Sequence, residues 1–252
     1  MTKRTPVRDC GETIAPGESA RPFARSVVSD ALSRASSVEL QPSLDAVGTP
    51  ASSGHWIVVD LETTGLGASA EITEIGAVRV RDGAVADEFS SLVKPSRPIP
   101  PFITSLTGIT PAMVAGADPI AVVLGRFMDW SGLGCEGSPV LVAHNATFDV
   151  GFLRRGARAS SLPWPRVHVV DTLALARLAL PRPLVRNHKL GTIASYFGTA
   201  TVPEHRALGD ARATAEILLG FIDLLAGAGA TDVEDLIALT EQAPSRRPST
   251  PP

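Results

Sequence analysis

Cysteine, lysine and long apolar runs are all scarce in this chain of 252 residues. Cys10 and Cys135 stand far apart and are too few for a disulfide framework or a cysteine-based zinc site. They read as reduced thiols. No stretch approaches the ~20 apolar residues that span a bilayer, and Met1 to Asp9 lacks the apolar core of a secretory signal. The expectation is a cytoplasmic protein with no membrane contact. Basic excess is missing too: the net charge is −3, whereas nucleic-acid binders usually carry a basic footprint. Of 23 basic residues only Lys3, Lys94 and Lys189 are lysine, which leaves 20 arginines. Arginine's planar fork suits phosphate, although genome base composition is the simpler cause of this bias. What is present is 44% hydrophobic residues, enough for a proper core, and no internal repeat.

Residues 1–53 are rich in Ser, Pro, Ala and Arg and poor in large apolar groups, so a disordered extension is expected. Phe23, Val27, Val28, Ala31, Leu32 and Ala35 recur at helical spacing and offer the alternative of a short amphipathic helix. Residues 229–252 read as a flexible tail, ending in a proline-rich stretch from 243 that cannot pack as helix or central strand. One domain is expected over 54–228.

Within it, Trp56-Ile57-Val58-Val59 is a continuous apolar run, the pattern of a strand buried on both faces. Strands at 72–80 and 84–93 flank Asp82-Gly83, a strong hairpin pair. Short helices follow at 102–107 and 119–131. Strands at 140–143 and 167–170 then alternate with helices at 146–159 and 172–180, before helices at 189–196 and 206–225. Three antiparallel strands followed by strand–helix units predict an α/β fold with a mixed sheet and helices on both faces.

Three short acidic blocks carry the chemistry. Asp60 and Glu62 are two apart where the first strand is expected to end, so both carboxylates leave one face. Asn145 is placed to cap the helix that follows the fourth strand. Asp149 falls in that helix's first turn, on the face of Phe152 and Leu153. His205 and Asp210 are five apart, about 140° off alignment on one helix. Pro203 therefore favours a loop position for His205, with Asp210 just inside the helix beside Ala211, Thr214 and Leu218. Singly, these acids also read as a solvated loop start or as complements to a helix dipole. Gathered together, four carboxylates repel one another. A pair of divalent cations relieves that repulsion, brings the net charge near +1, and points to metal-assisted phosphodiester hydrolysis.

The blocks Val59-Asp60-Leu61-Glu62-Thr63-Thr64-Gly65-Leu66, His144-Asn145-Ala146-Thr147-Phe148-Asp149 and His205-Arg206-Ala207-Leu208-Gly209-Asp210 resemble the three motifs of the DEDDh exonuclease family. That family includes the proofreading epsilon subunit of bacterial DNA polymerase III and the exonuclease domain of PolC-type polymerases. Glu74-Ile75-Gly76-Ala77-Val78, Leu106-Thr107-Gly108-Ile109-Thr110 and Asp171-Thr172-Leu173 look like segments of the same proteins. The likeness covers about residues 55–225.

The resemblance implies a ribonuclease H-like five-stranded mixed sheet. It implies that Asp60, Glu62, Asp149 and Asp210 hold two Mg²⁺ or Mn²⁺ ions and that His205 is the general base. It implies 3′→5′ hydrolysis of DNA to 5′-mononucleotides, with Thr63, Leu66, Asn145 and Phe148 facing the strand. For Phe148, core packing is an equally good reading. Arg186, His188 and Lys189 form a basic cluster that is either a phosphate contact or a solvated loop. Asp171 reads as a helix N-cap. The expected partners are single-stranded or frayed 3′ ends and a DNA polymerase catalytic subunit. Two alternatives stand beside the DNA exonuclease: an RNA exonuclease of the ribonuclease T type, and a polymerase accessory subunit acting as a scaffold. Oligoribonucleases of the family usually carry methionine after the first-motif glutamate; Thr63 stands there instead, which favours DNA.

Overall fold

A computed structural model describes residues 48–242 apart from 136 and 183. The pattern at 23–35, the proline-rich tail from 243 and most of the expected N-terminal extension lie outside the described residues. Five strands form one sheet: β1 (Trp56–Thr63), β2 (Ile72–Arg81), β3 (Ala84–Leu92), β4 (Val140–Ala143) and β5 (Val169–Asp171), in the order β3-β2-β1-β4-β5. β1, β2 and β3 pair antiparallel, while β4 and β5 add in parallel beside β1. The helices are α1 (Pro101–Thr107), α2 (Pro111–Ala115), α3 (Ile120–Ser131), α4 (Ala146–Ala159), α5 (Thr172–Ala179), α6 (Leu190–Phe197), α7 (Ala207–Ala226) and α8 (Val233–Gln242). This is the mixed, helix-flanked sheet that the strand pattern predicts, and the five-stranded ribonuclease H-like arrangement that the resemblance implies.

β1 is apolar throughout its first half because both of its faces are covered. Trp56 and Val58 pack among Leu175, Ile193, Phe221 and Leu236, beneath α5 to α8. Ile57, Val59 and Leu61 pack with Phe127 of α3 and Leu153 of α4 on the other face. Each such fully buried large side chain contributes about 1.5–3 kcal/mol by leaving water. On α7, Ala207, Ala211 and Ala215 are all fully buried, and these small side chains let a 20-residue helix lie close along the sheet.

Several element boundaries differ from expectation. α2 was not foreseen; Thr110 caps it by accepting a hydrogen bond from the Met113 amide. β5 starts at Val169 rather than 167 and ends in Asp171. Residues 233–242, expected within a flexible tail, form α8. Its apolar face of Val233, Leu236 and Leu239 is buried in the core, and Asp235 accepts from the Thr231 and Asp232 amides at its start. The backbone of residues 49–51 pairs with 231–233 through Ala51 N–Thr231 O (2.8 Å) and Val233 N–Thr49 O (2.9 Å). The folded unit thus begins before residue 54 and runs past 228.

Candidate active site

β1 stays paired with β2 as far as Thr63, so Asp60 and Glu62 sit inside the strand rather than where it ends. Pairing fixes their direction. Alternation puts both on the face of Trp56 and Val58, where α7 packs. Asp60 lies opposite Gly76 and Glu62 opposite Glu74 across the strand pair. A Cβ on Gly76 would fall 2.1 Å from the Leu208 amide nitrogen, so only glycine lets the first turn of α7 rest on β2 here.

The start of α7 is held by a carboxylate from another element. Arg206 occupies the N-cap without a side-chain cap bond. Instead the buried Glu74 carboxylate accepts from the Ala207 amide (3.1 Å) and takes both Nε (3.1 Å) and Nη2 (2.8 Å) of Arg206. Asp210 closes the same turn by accepting from the Glu204 amide at 2.9 Å. These bonds frame His205, which stays in the loop, as expected, with a left-handed backbone (φ 57°) and an exposed side chain. Ligand atoms of Glu62, His205 and Asp210 all lie within 4.8 Å of one another.

Asp149 approaches from the other side of the sheet. It lies in the first turn of α4, is 3% exposed, and shares a buried face with Phe152 and Leu153 as the spacing predicts. The structure therefore brings acids from both faces of the sheet near one another, over the carboxyl-terminal part of β1 and just beyond β4. That is the place where α/β sheets bind ligands.

The electrostatics are those of an uncompensated acidic pocket. Burial, then Asp210 and Glu74, push Glu62 from its ordinary 4.5 up to about 7, against the pull of Arg206. Asp60 is pushed well up by burial and by Asp149, Asp210, Glu62 and Glu74. Asp149 is raised by burial, although backbone amides including that of Leu61 stabilise its charge. Burial also raises Asp210, opposed by its bond from Glu204 and by His205. Among the described residues, no salt bridge reaches any of the four. Oxygen donors that repel one another, with an imidazole beside them, fit hard divalent cations such as Mg²⁺ or Mn²⁺.

A cleft of about 170 Å³ opens over these groups, lined by Asp60, Glu62, His205 and Asp210 together with Thr63, Leu66 and Phe148. Leu66 is 86% exposed. Phe148 is half-buried, its ring 4.7 Å from that of Phe152, so it both packs and faces the cleft. The Thr63 hydroxyl donates to the Gly65 carbonyl at 2.7 Å and fixes the turn beneath Leu66. Asn145 does not line the cleft, nor does its side chain cap α4. Its backbone is left-handed (φ 73°) rather than in the extended conformation that a capping side chain requires. Its amide instead donates to Asp171, which also caps α5 through the Leu173 amide. His188 belongs to a structural network: its ring contacts the Leu180 carbonyl, and its own carbonyl contacts the ring of His144.

Two contributors escaped the sequence reading. Glu74 and Arg206 stand inside segments that resemble the family, but no local spacing marks either as part of the site. The far wall of the cleft is Ile103, Leu106 and Thr107 of α1, in or just before a segment singled out only for its likeness to relatives.

Residues 57–218 match the exonuclease family model, RNase_T. The chain is 47% identical over 181 residues to a protein of Mycobacterium tuberculosis named as a bifunctional exonuclease/endonuclease, covering 69% of this chain and 27% of that protein. It is 42% identical over 161 residues to the PolC-type DNA polymerase III of Listeria monocytogenes, covering 64% of this chain and 11% of the polymerase. The chain thus spans a minor part of the length of these relatives. Among solved structures it resembles exonuclease X in complex with 5′-overhanging duplex DNA, at 28% identity and a TM-score of 0.56, over 73% of this chain and 99% of that one. It shares its fold with the nuclease domain of 3′hExo, a DEDDh family member bound to rAMP, at 23% identity and a TM-score of 0.57, over 67% of this chain and 92% of that one.

Proposed function

Because the chain belongs to the exonuclease family, we propose that it hydrolyses DNA from the 3′ end and releases 5′-mononucleotides, in the manner of the epsilon-type exonucleases. The observation that carries this is the convergence of Glu62, His205 and Asp210 within 4.8 Å, with Asp60 in the same cleft and Asp149 buried at its back. Asp60, Glu62, Asp149 and Asp210 would hold two Mg²⁺ or Mn²⁺ ions, whose charge would offset the negative charge that develops on the oxygens around phosphorus.

The residues of the chain do the rest. Leu66, Phe148 and the α1 wall give the terminal nucleotide an apolar seat. His205, in its exposed loop, takes the proton from the attacking water, a task suited to imidazole at neutral pH. The new bond joins that water oxygen to phosphorus. The bond from phosphorus to the 3′ oxygen of the preceding nucleotide breaks, and that oxygen ends protonated. Asp210 and Glu74 keep His205 in reach through the loop they anchor.

The similarity to polymerase III and exonuclease/endonuclease sequences at 42–47% identity supports DNA over RNA, as does Thr63. It also supports work beside a polymerase or a repair nuclease, in the cytoplasm where such substrates arise. No helix among the described residues is long and apolar enough to cross a membrane. The test is to incubate end-labelled DNA and RNA strands, single and mispaired, with Mg²⁺, Mn²⁺ or EDTA and an Asp60→Ala control. Metal-dependent shortening of DNA from its 3′ end, lost in Asp60→Ala, is the expected result. Shortening of RNA alone would transfer the activity to the ribonuclease T-like alternative.

A further inference from the structure

A second and larger cavity, about 860 Å³, lies on the other side of the loop that carries Leu66. It is separate from the catalytic cleft but joined to it by one helix face. On α4, Phe148 lines the cleft, while Phe152, Arg155 and Ala159 line the cavity. These residues recur at helical i, i+3 and i+4 spacing and span roughly 16 Å of helix axis. That is the reach of four or five nucleotides stacked at the duplex rise of about 3.4 Å, and of fewer in an extended strand.

The chemistry of the cavity matches such a strand. Its floor is apolar, formed by Ile72, Val93 and Phe152. Its rim carries Lys94, Arg97, Arg155 and Arg158, all exposed and none in a salt bridge among the described residues. The one acid in the lining, Glu71, is occupied by the amide and hydroxyl of Ser96. The Arg155 guanidinium is already stacked 4.0 Å above the Phe152 ring. Basic rims over apolar, aromatic floors are how proteins hold single strands without reading their sequence. This patch lies on a chain whose net charge is −3.

We propose that this cavity holds the single strand just upstream of the 3′ end, so that the enzyme grips several nucleotides behind the one it removes. The inference rests on the exonuclease reading for the strand's polarity. The test uses Arg155→Gln/Arg158→Gln, with Arg154→Gln as control, an exposed neighbour on the same helix that does not line the cavity. Binding of a fluorescein-labelled single strand is followed by anisotropy without metal over a range of salt. Hydrolysis is measured both on that strand and on the p-nitrophenyl ester of thymidine 5′-monophosphate, which is too short to reach the cavity.

The double variant should bind the strand several-fold more weakly, with a salt dependence shallower by about 0.7 per arginine removed. Its KM for the strand should rise while its turnover of the ester matches the wild type, and Arg154→Gln should change neither. Strand affinity and salt slope equal to wild type would overturn the proposal. If wild-type protein cleaves neither ester nor strand, the exonuclease reading fails instead, and the metal-free binding comparison still decides whether the cavity holds a strand.

Discussion

Glu62 and Glu74 face each other across β1 and β2, and both are buried, at 9% and 2% exposure. Yet they live in opposite electrostatic worlds. Glu74 has a guanidinium and a helix amide on its oxygens. Glu62 has other carboxylates for neighbours and is pushed up to about 7. One strand carries an acid whose partners are all supplied by the fold. The next carries an acid whose partner must come from outside. Buried charge is costly unless paired, so the contrast separates an acid that builds the site from one that the proposed mechanism would use.

The sharpest way to break the comparison is to remove acids on the working side. Asp60→Ala or Asp210→Ala should reduce hydrolysis to background while thermal unfolding shows a folded protein. Near-normal turnover in a Mg²⁺ or Mn²⁺ assay would remove these residues from the mechanism. The two glutamates should then respond to neutralisation with opposite signs. Glu74→Gln strands Arg206 and weakens the anchor of the His205 loop. With Arg206 about half exposed, the cost should be about 1–3 kcal/mol, at the lower end for a broken buried pair. Glu62→Gln removes a source of repulsion and should raise the metal-free melting temperature at pH 8. Denaturation of both variants in EDTA reads this directly, and equal signs would refute the distinction.

How much of this was visible in the sequence follows the same division. The acids of the site sit in short local patterns: Asp60 and Glu62 on alternate strand positions, Asp149 one helical turn from Phe152 and Leu153, His205 kept in a loop by Pro203. Local periodicity reveals such residues. Glu74 and Arg206 are 132 residues apart, and no spacing rule joins them. Only the sheet register, with Gly76 admitting α7 onto β2, brings them together. α8 was missed for a related reason. Its apolar face, Val233, Leu236 and Leu239, is short, and its stability comes from packing with the rest of the core rather than from propensity.

A change of pH should sharpen the contrast without any substitution. A carboxyl whose folded pKa lies above its unfolded value takes up a proton on folding, so it favours the folded state most at low pH. For Glu62 that window opens near 4.5 and closes near 7, and Asp60, Asp149 and Asp210 are raised in the same direction. The acids should therefore cost the metal-free protein stability as pH rises from about 5 to 8, most visibly above 6.5, where the opposite contribution of the lowered His55 and His144 is complete. Millimolar Mg²⁺ or Mn²⁺ should restore it most at the upper end, because cations bind the ionised acids. Melting curves across that range, with EDTA and with metal, test this. A metal-free melting temperature that climbs toward pH 8 would mean the pocket is not under charge stress.

The smallest expected effect lies at the mouth of the cleft. Leu66 is 86% exposed, so truncating it removes almost nothing from the folded protein, and Leu66→Ala should leave melting unchanged within about 0.5 kcal/mol. If Leu66 is a seat for the terminal base, the loss appears only with substrate, as a KM raised several-fold on DNA and a nearly unchanged kcat. Phe148→Ala separates the two readings of that ring. Half-buried against Phe152, it should cost both stability and KM if it packs and binds, whereas pure packing would lower the melting temperature and leave KM where it was.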